Sequence, residues 1–410
     1  MITHTDEPEI FRVFPDFREH WWDMIYLDAN ATSPTDPAVV EAMLPFLTEQ
    51  FGNASSSHAA GRRAHRAVEK ARAQAAAFIR ADKEEIIFTS GATESINSVL
   101  LFAQQEWPER PLLVVSTVEH AAVMECARRW EQRGGRVKRV PVDANGIVKI
   151  DEFKSALEPG KTALVSMIWG NNETGVVSPM EEIVQIAHEA GALVHADAVQ
   201  MAGKLPLDVS QVPVDYLSLS GHKMHAPKGI GILFASRRVA FRPLLVGGGQ
   251  ESDRRSSTEN VPGIVAMGRA AELAGSWLQS DGPNELTALR DEFEGRLLAG
   301  WPGAVIHGAG VQRLPNTTSI CLPGVDSAGM LILLDQRGIA CSGGSACHTA
   351  SFHPSPVLEA MGFDADHAAS TLRFSLSRMS SRDEVIRTAE EIIRTAQRIV
   401  EQKGLRGLIN

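Results

Sequence analysis

The sequence predicts an α/β chain, with a large domain on a mainly parallel sheet and a smaller α/β domain after it. Three observations carry this. Short runs rich in β-branched residues, at residues 85–89, 112–115, 136–142, 162–168 and 193–195, alternate with helical patterns. The alternation weakens after Gly231, and a linker-like stretch from Ser280 to Pro283 precedes two helices with strand-like segments between them. The chain has 410 residues, 44% of them hydrophobic and 22% charged, which is enough for two globular cores. The expected division puts residues 37–281 in the large domain and residues 282–410, with about residues 1–36, in the small one.

Residues 1–24 read as an extension. Ile25 to Asp28 then looks like a short strand, followed by the polar turn Ala29-Asn30-Ala31-Thr32-Ser33-Pro34. Asp36 caps a helix with Pro37 at its first position, an apolar face of Val40, Met43, Leu44 and Leu47, and Gly52 at its end. Ser178-Pro179-Met180-Glu181 has the pattern of a capping box, and Gly191 closes that helix. A polar loop from Gly247 to Asn260 leads into a helix from about Ile264 to Trp277. The last helix opens on a second capping box, Ser381 to Glu384, with an apolar face of Val385, Ile386, Ala389, Ile392, Ile393, Ala396 and Val400.

The net charge of -10 argues against a nucleic-acid or anionic-membrane partner. No apolar run reaches the length of a membrane span. The first 23 residues are acidic and lack a long apolar core, so no secretory signal is expected. Four cysteines in so long a chain are not a disulfide framework, and a reducing cytoplasm is the expected setting.

Ligands of open parallel sheets sit beyond the carboxyl ends of the strands, so polar residues just after strands are the candidates. Lys223 lies in Ser220-Gly221-His222-Lys223, on a turn after the run Tyr216–Leu219. A lysine there suits a carbonyl cofactor held as a Schiff base, and partial burial beside His222 and Lys228 favours its neutral amine. The competing reading is a solvated surface lysine. Thr89-Ser90-Gly91-Ala92-Thr93-Glu94-Ser95 follows a strand and opens a helix; its small residues let backbone N–H groups meet a phosphate, unless it is an ordinary turn.

Asp197 ends another strand, with Gln200 three residues on. Its carboxylate can pair with a protonated pyridine nitrogen, or it can cap the next helix. His120 can stack on a flat cofactor and exchange protons, or be structural. Asn172, in Asn171-Asn172-Glu173-Thr174-Gly175, can donate to a phenolate or a carboxylate, or simply make a turn. Arg373 alternates with apolar residues on an expected strand, where its fork of donors suits a substrate carboxylate; Arg378 reads as structural. Cys347 lies in the small-residue loop Gly343 to Ser351, where an exposed thiol can ionise and attack. Cys341, Cys347, His348 and His353 also invite a zinc reading, but their spacing fits no common structural site, and no metal is expected.

Together these motifs resemble the cysteine desulfurases of the NifS/IscS type, class V aminotransferase relatives that bind pyridoxal 5'-phosphate on fold type I. The resemblance rests on Ser220 to Lys223 with Pro227-Lys228-Gly229, on Asp197-Ala198-Val199-Gln200, on Asn171-Asn172-Glu173, on Arg255 to Asn260, and on Gly344 to Cys347. It runs from about Tyr26 to the last helix. It implies that Lys223 binds the cofactor covalently and moves the α-proton. Asp197 would pair with the pyridine nitrogen, and His120 would stack on the ring. Gln200 and Asn172 would lie at the phenolic oxygen, with Asn172 and Arg373 reaching the substrate carboxylate. Ala92, Thr93, Ser220 and His222 would hold the phosphate, and Thr258 that of the partner subunit in a homodimer. Cys347 would take the sulfur of L-cysteine as a persulfide, leaving L-alanine, and pass it to an acceptor protein in iron–sulfur cluster assembly or another thiolation pathway.

Four positions depart from the family pattern. Ser257 stands where glycine is usual, Ala29 where a polar or aromatic residue is, His348 where threonine is, and Cys341 where a small non-thiol residue is. Two other functions compete. A selenocysteine lyase or aminotransferase-like relative would form keto acid or act on another substrate. A catalytically quiet sulfur-assembly subunit would bind a partner without releasing alanine.

Overall fold

The computed structural model describes residues 24–343 and 355–407. In chain order, strand β1 (Ile25–Tyr26) leads to helices α1 (Pro37–Thr48) and α2 (Ala59–Ile79). Then come β2 (Ile86–Thr89), α3 (Ala92–Glu106), β3 (Leu112–Ser116), α4 (Ala121–Gln132), β4 (Arg136–Val140) and α5 (Ile150–Ala156). They are followed by β5 (Thr162–Ile168), α6 (Met180–Glu189), β6 (Leu193–Asp197), β7 (Tyr216–Ser220), β8 (Gly231–Ala235) and α7 (Val261–Leu278). The remainder is α8 (Gly282–Gly300), β9 (Val305–Ile306), β10 (Thr317–Cys321), α9 (Ser327–Asp335), β11 (Ile339–Ala340), β12 (Ser342–Gly343), α10 (Pro356–Ala360), α11 (Ala365–Ala369), β13 (Thr371–Ser375) and α12 (Arg382–Gly407).

A seven-stranded sheet in the order β2-β8-β7-β6-β5-β3-β4 forms the centre. β8 is antiparallel to both of its neighbours, and the other pairs are parallel. Both faces are covered, which is why these strands read as continuous apolar runs. Ile86, Phe88, Val114, Val165 and Leu219 face one side with α1, α2 and α7. Ile87, Val115, Leu164 and Leu233 face the other with α3 and α4. Small residues let α2 and α7 touch: a Cβ on Gly268 would lie 2.6 Å from Ala71 Cα. A second core gathers Ile25 and Leu27 with Phe293, Ile320, Phe374, Val385 and Ile392. Its antiparallel sheet has the order β12-β13-β10-β9, and β1 pairs in parallel with β11.

Three expectations need correction. α1 starts on the Asp36 cap but turns Val39 inward, with Met43 and Phe46 packed against the core, while Leu44 and Leu47 are exposed. It ends at Thr48, before Gly52. Ser178 makes no capping box, because its hydroxyl donates instead to the Ile168 carbonyl at 2.7 Å, tying α6 to β5. The box at the last helix does form: Ser381 N donates to Glu384 Oε2 at 2.7 Å, and Glu384 N to Ser381 Oγ at 3.3 Å.

One buried group makes a pH prediction. His195 lies between the hydroxyls of Ser166 on β5 and Ser218 on β7, at 2.8 and 2.9 Å. Burial pushes its imidazole down to about 3. The folded ring stays neutral, whereas the unfolded ring takes a proton below its ordinary value of about 6.5. Its stabilisation is therefore complete above about pH 6.5 and is lost as the pH falls toward 3. Denaturant titrations across this window are expected to show a shallower loss of stability for His195→Gln than for the parent protein. Equal slopes would exclude His195 as a source of the acid sensitivity.

Candidate active site

The carboxyl ends of β2, β3, β5, β6 and β7 surround a cavity of about 500 Å³. Its lining includes Ala92, Thr93, His120, Asn172, Asp197, Gln200, Ser220, His222, Lys223 and Arg373. These residues are scattered over the sequence; the strand order of the central sheet brings all but Arg373, which comes from β13 of the second sheet, to one rim.

At one end lies the N-terminus of α3. Gly91 takes φ +155° to turn β2 into the helix, and α3 then points its first N–H groups at the cavity. The start of β8 packs directly behind this turn: a Cβ on Gly231 would lie 2.6 Å from Gly91 Cα. Glu94 is the one acid in the first turn, and it is neutralised. Its carboxylate accepts from Ser90 N at 2.8 Å and pairs with Arg255 at 2.9 Å. Ser220, His222 and Lys228 complete this end. Burial, then Lys223 and Lys228, pushes the His222 imidazole down to about 4, so it is neutral at pH 7. The end is built to accept an anion.

Lys223 sits on a short turn, Gly221–Lys223, at the end of β7. Its Nζ donates to the carbonyls of Asn30 and Ala31, the latter at 2.7 Å. Asp197 is buried at the end of β6 and accepts from Val199 N at 3.2 Å. Burial raises its carboxyl above the ordinary range, while His120 and Lys223 pull the other way. His120 is the N-cap of α4, its Nδ1 accepting from Ala122 N at 3.1 Å, and it also lines the cavity. The capping bond fixes the ring's orientation.

At the other end Arg373 is 2% exposed on β13. It donates to Asp28 Oδ1 at 2.8 Å and to the Asn172 carbonyl at 3.1 Å. Its Nε is buried without a hydrogen-bond partner. Arg378 is engaged elsewhere, paired with Asp36 at 2.6 Å.

Several residues at or beside the cavity had no functional reading in the sequence; Asn30 lines it, whereas Lys204, Glu119 and Glu173 line neighbouring cavities. Asn30, in the polar turn after β1, is 2% exposed; it donates to Thr317 Oγ1 and the Asn172 carbonyl and accepts from Lys223 and Gln200. Its position in a polar turn after a strand was the available signal. Lys204 is buried four residues after Gln200, a helical spacing that places both side chains on one side of the turn. Glu119, next to His120, is pushed up to about 8 by burial, with Asp197 adding to the shift; its Oε2 is buried without a partner. Glu173 is pushed up to about 7 by burial, and its carboxyl accepts from Ser355.

Two expected residues stand apart. Thr258 is exposed and lines a second cavity of about 250 Å³ with Ser90, Gly229 and Arg255, not the first. Cys347 lies outside the described residues, as do His348 and His353. Cys341, just before β12, has its thiol pushed up to about 12 by burial, with Asp28 adding. Among the described residues no group of three or more His, Cys, Asp or Glu side chains could hold a metal ion.

Ser257, beside Thr258, has φ +144°. That backbone conformation suits glycine, the residue usual at this position in the family it resembles, and it strains serine. Ser257→Gly is expected to raise stability by about 1 kcal/mol, read as a higher denaturant midpoint at unchanged slope. A lower midpoint would contradict the strain.

The donor set fits pyridoxal phosphate. The α3 N-terminus with Ser220 and His222 suits a dianionic phosphate, the Lys223 amine suits a carbonyl, and buried Asp197 calls for a cation. A protonated ring nitrogen there would favour the charged form of Asp197.

Residues 25–387 match the family Aminotransferase class-V. The cysteine desulfurase of Gluconacetobacter diazotrophicus is 46% identical, over 89% of this chain and 92% of that one. A solved NifS-like protein superposes with a TM-score of 0.85 at 37% identity, covering 91% of this chain and 99% of that one. A solved structure described as SspA in complex with cysteine gives 0.77 at 31% identity, covering 87% and 99%.

Proposed function

We infer that this chain, which belongs to the aminotransferase class-V family, is a pyridoxal-phosphate-dependent cysteine desulfurase. It converts L-cysteine to L-alanine and keeps the sulfur as a persulfide on Cys347. The observation that carries this reading is the cavity that joins an anion cradle, the Lys223 amine, buried Asp197 and buried Arg373.

Ala92, Thr93, Ser220 and His222 would hold the phosphate, Asp197 the ring nitrogen, His120 the ring face, and Gln200 and Asn172 the ring oxygen. When bound, the cofactor supplies an electron sink for the substrate's α-carbon. Arg373, with Asn172, binds the substrate carboxylate through its fork of donors, clamped by Asp28. Lys223 Nζ carries the α-proton. Cys347 Sγ takes the substrate sulfur: the new S–S bond forms as the C–S bond breaks, and the electron pair left on carbon is protonated to the methyl group of alanine.

The enzyme works as a cytoplasmic homodimer that hands its sulfur to a carrier or scaffold protein, by default in iron–sulfur cluster assembly. The dimer follows from the family resemblance, in which Thr258 reaches the partner's phosphate; here Thr258 is exposed and does not line the cavity of Lys223. The core that joins Ile25 and Leu27 to residues from Leu286 to Ala396 supports a division near residues 281 and 282. No helix of the described residues is long and apolar enough to cross a membrane.

Single-turnover incubation of the holoenzyme with L-cysteine tests the reading. Stoichiometric alanine and one added sulfur on the Cys347 peptide are expected. Keto acid in place of alanine would support the aminotransferase alternative, and partner binding without alanine the quiet-subunit one.

A further inference from the structure

Lys204 is 6% exposed and, among the described residues, has no ion-pair partner. Burying a lysine without a counter-charge is costly, and an apolar side chain there would be cheaper. Its Nζ donates to Gln200 Oε1 at 2.5 Å and to Asn30 Oδ1 at 3.2 Å.

The atoms Lys204 meets are the oxygens of both amides, which only accept, so its N–H groups occupy the oxygen end of each. With Oε1 occupied, Gln200 must present its NH₂ elsewhere. One N–H goes to the Asn30 carbonyl at 2.9 Å, and the second is left for the cavity that Gln200 lines. Asn30 Oδ1 also accepts from Asn316 Nδ2 at 3.1 Å, so its own NH₂ faces Thr317 Oγ1 and the Asn172 carbonyl, and its main-chain carbonyl sits under Lys223.

We propose that Lys204 is a positioning residue that keeps Gln200 a donor toward the cofactor's ring oxygen and holds Asn30 beneath Lys223. This rests on the cofactor assignment above. The cationic and titratable groups facing Lys204 are Lys223, His222 and His225 on the β7–β8 turn and Arg373 on β13. Burial, with Lys223 and Arg373 adding, holds its ammonium well below the ordinary lysine range. Either as an amine or as an ammonium it offers N–H groups to both amides.

The test is the pH midpoint of the bound cofactor's visible absorbance, read without cysteine. A donor at the ring oxygen favours the deprotonated form, so Lys204→Met, which frees Gln200 to turn its oxygen toward the ring, is expected to raise the midpoint by about one pH unit. kcat is expected to fall about tenfold, with KM changing less than about threefold. In a Gln200→Ala background the midpoint shift from Lys204→Met is expected to shrink, because the two residues act as one unit. Lys204→Gln, which keeps an amide donor, is expected to shift the midpoint less and in the same direction, and it carries the cycle if the methionine variant does not fold. An unchanged midpoint in a folded variant, or equal shifts with and without Gln200, would overturn the proposal. Because no cysteine is present, a failure to form alanine would count against the desulfurase reading alone.

Discussion

Lys223→Ala is expected to lower alanine formation from L-cysteine by at least about a thousandfold, since proton transfer by a positioned side chain is alone worth about 10²–10⁴. The variant also loses the amine proposed to engage the carbonyl of the cofactor. Lys228 lines the same cavity, but it stands past the turn, beside Gly229 at the anion end. Lys223→Arg is expected to be as inactive, because a guanidinium keeps the charge but does not deprotonate at working pH. The fold is expected to survive both changes. Lys223 is half-buried, and the carbonyls of Asn30 and Ala31 that it leaves open onto a cavity that can take water. Alanine release under saturating cofactor, with circular dichroism as the control, measures this. Activity above about a tenth of the parent's would remove Lys223 from the chemistry.

Cys347→Ala is expected to abolish protein-bound persulfide and to reduce turnover at least about a hundredfold, because a covalent nucleophile has no substitute. The other three cysteines cannot stand in. Burial pushes the thiols of Cys126 and Cys321 up to about 11, and that of Cys341 up to about 12. None is then a thiolate at neutral pH, and the thiolate is the attacking form. Cofactor uptake is expected to be normal, since the residues assigned to it lie at strand ends of the central sheet. Mass spectrometry of the Cys347 peptide after one turnover checks this. A persulfide found on Cys341 in the variant would show that the buried thiol is competent after all.

The sites were legible where local pattern and strand position coincide. Lys223, Asp197, His120 and Asn172 each follow an apolar run by a residue or a few, and a parallel sheet delivers such positions to one rim. Ser178 shows the limit of that logic. Its capping pattern was correct in spacing, yet the nearby Ile168 carbonyl competed successfully for its hydroxyl. Leu44 and Leu47 show another: helical periodicity marks an apolar stripe but not which edge of it meets the core.

By itself the sequence determined the alternating α/β architecture and the strand-end residues, because helix caps, apolar periods and turn residues act within a few positions. Only the tertiary structure decided the partners. Asn30 meets Thr317 and Ser375 across about three hundred residues, and Arg373 meets Asp28 across a similar span. Burial likewise came only with packing, and it is burial that shifts Asp197, Glu119 and His222 and leaves Lys204 with two amides in place of a counter-charge.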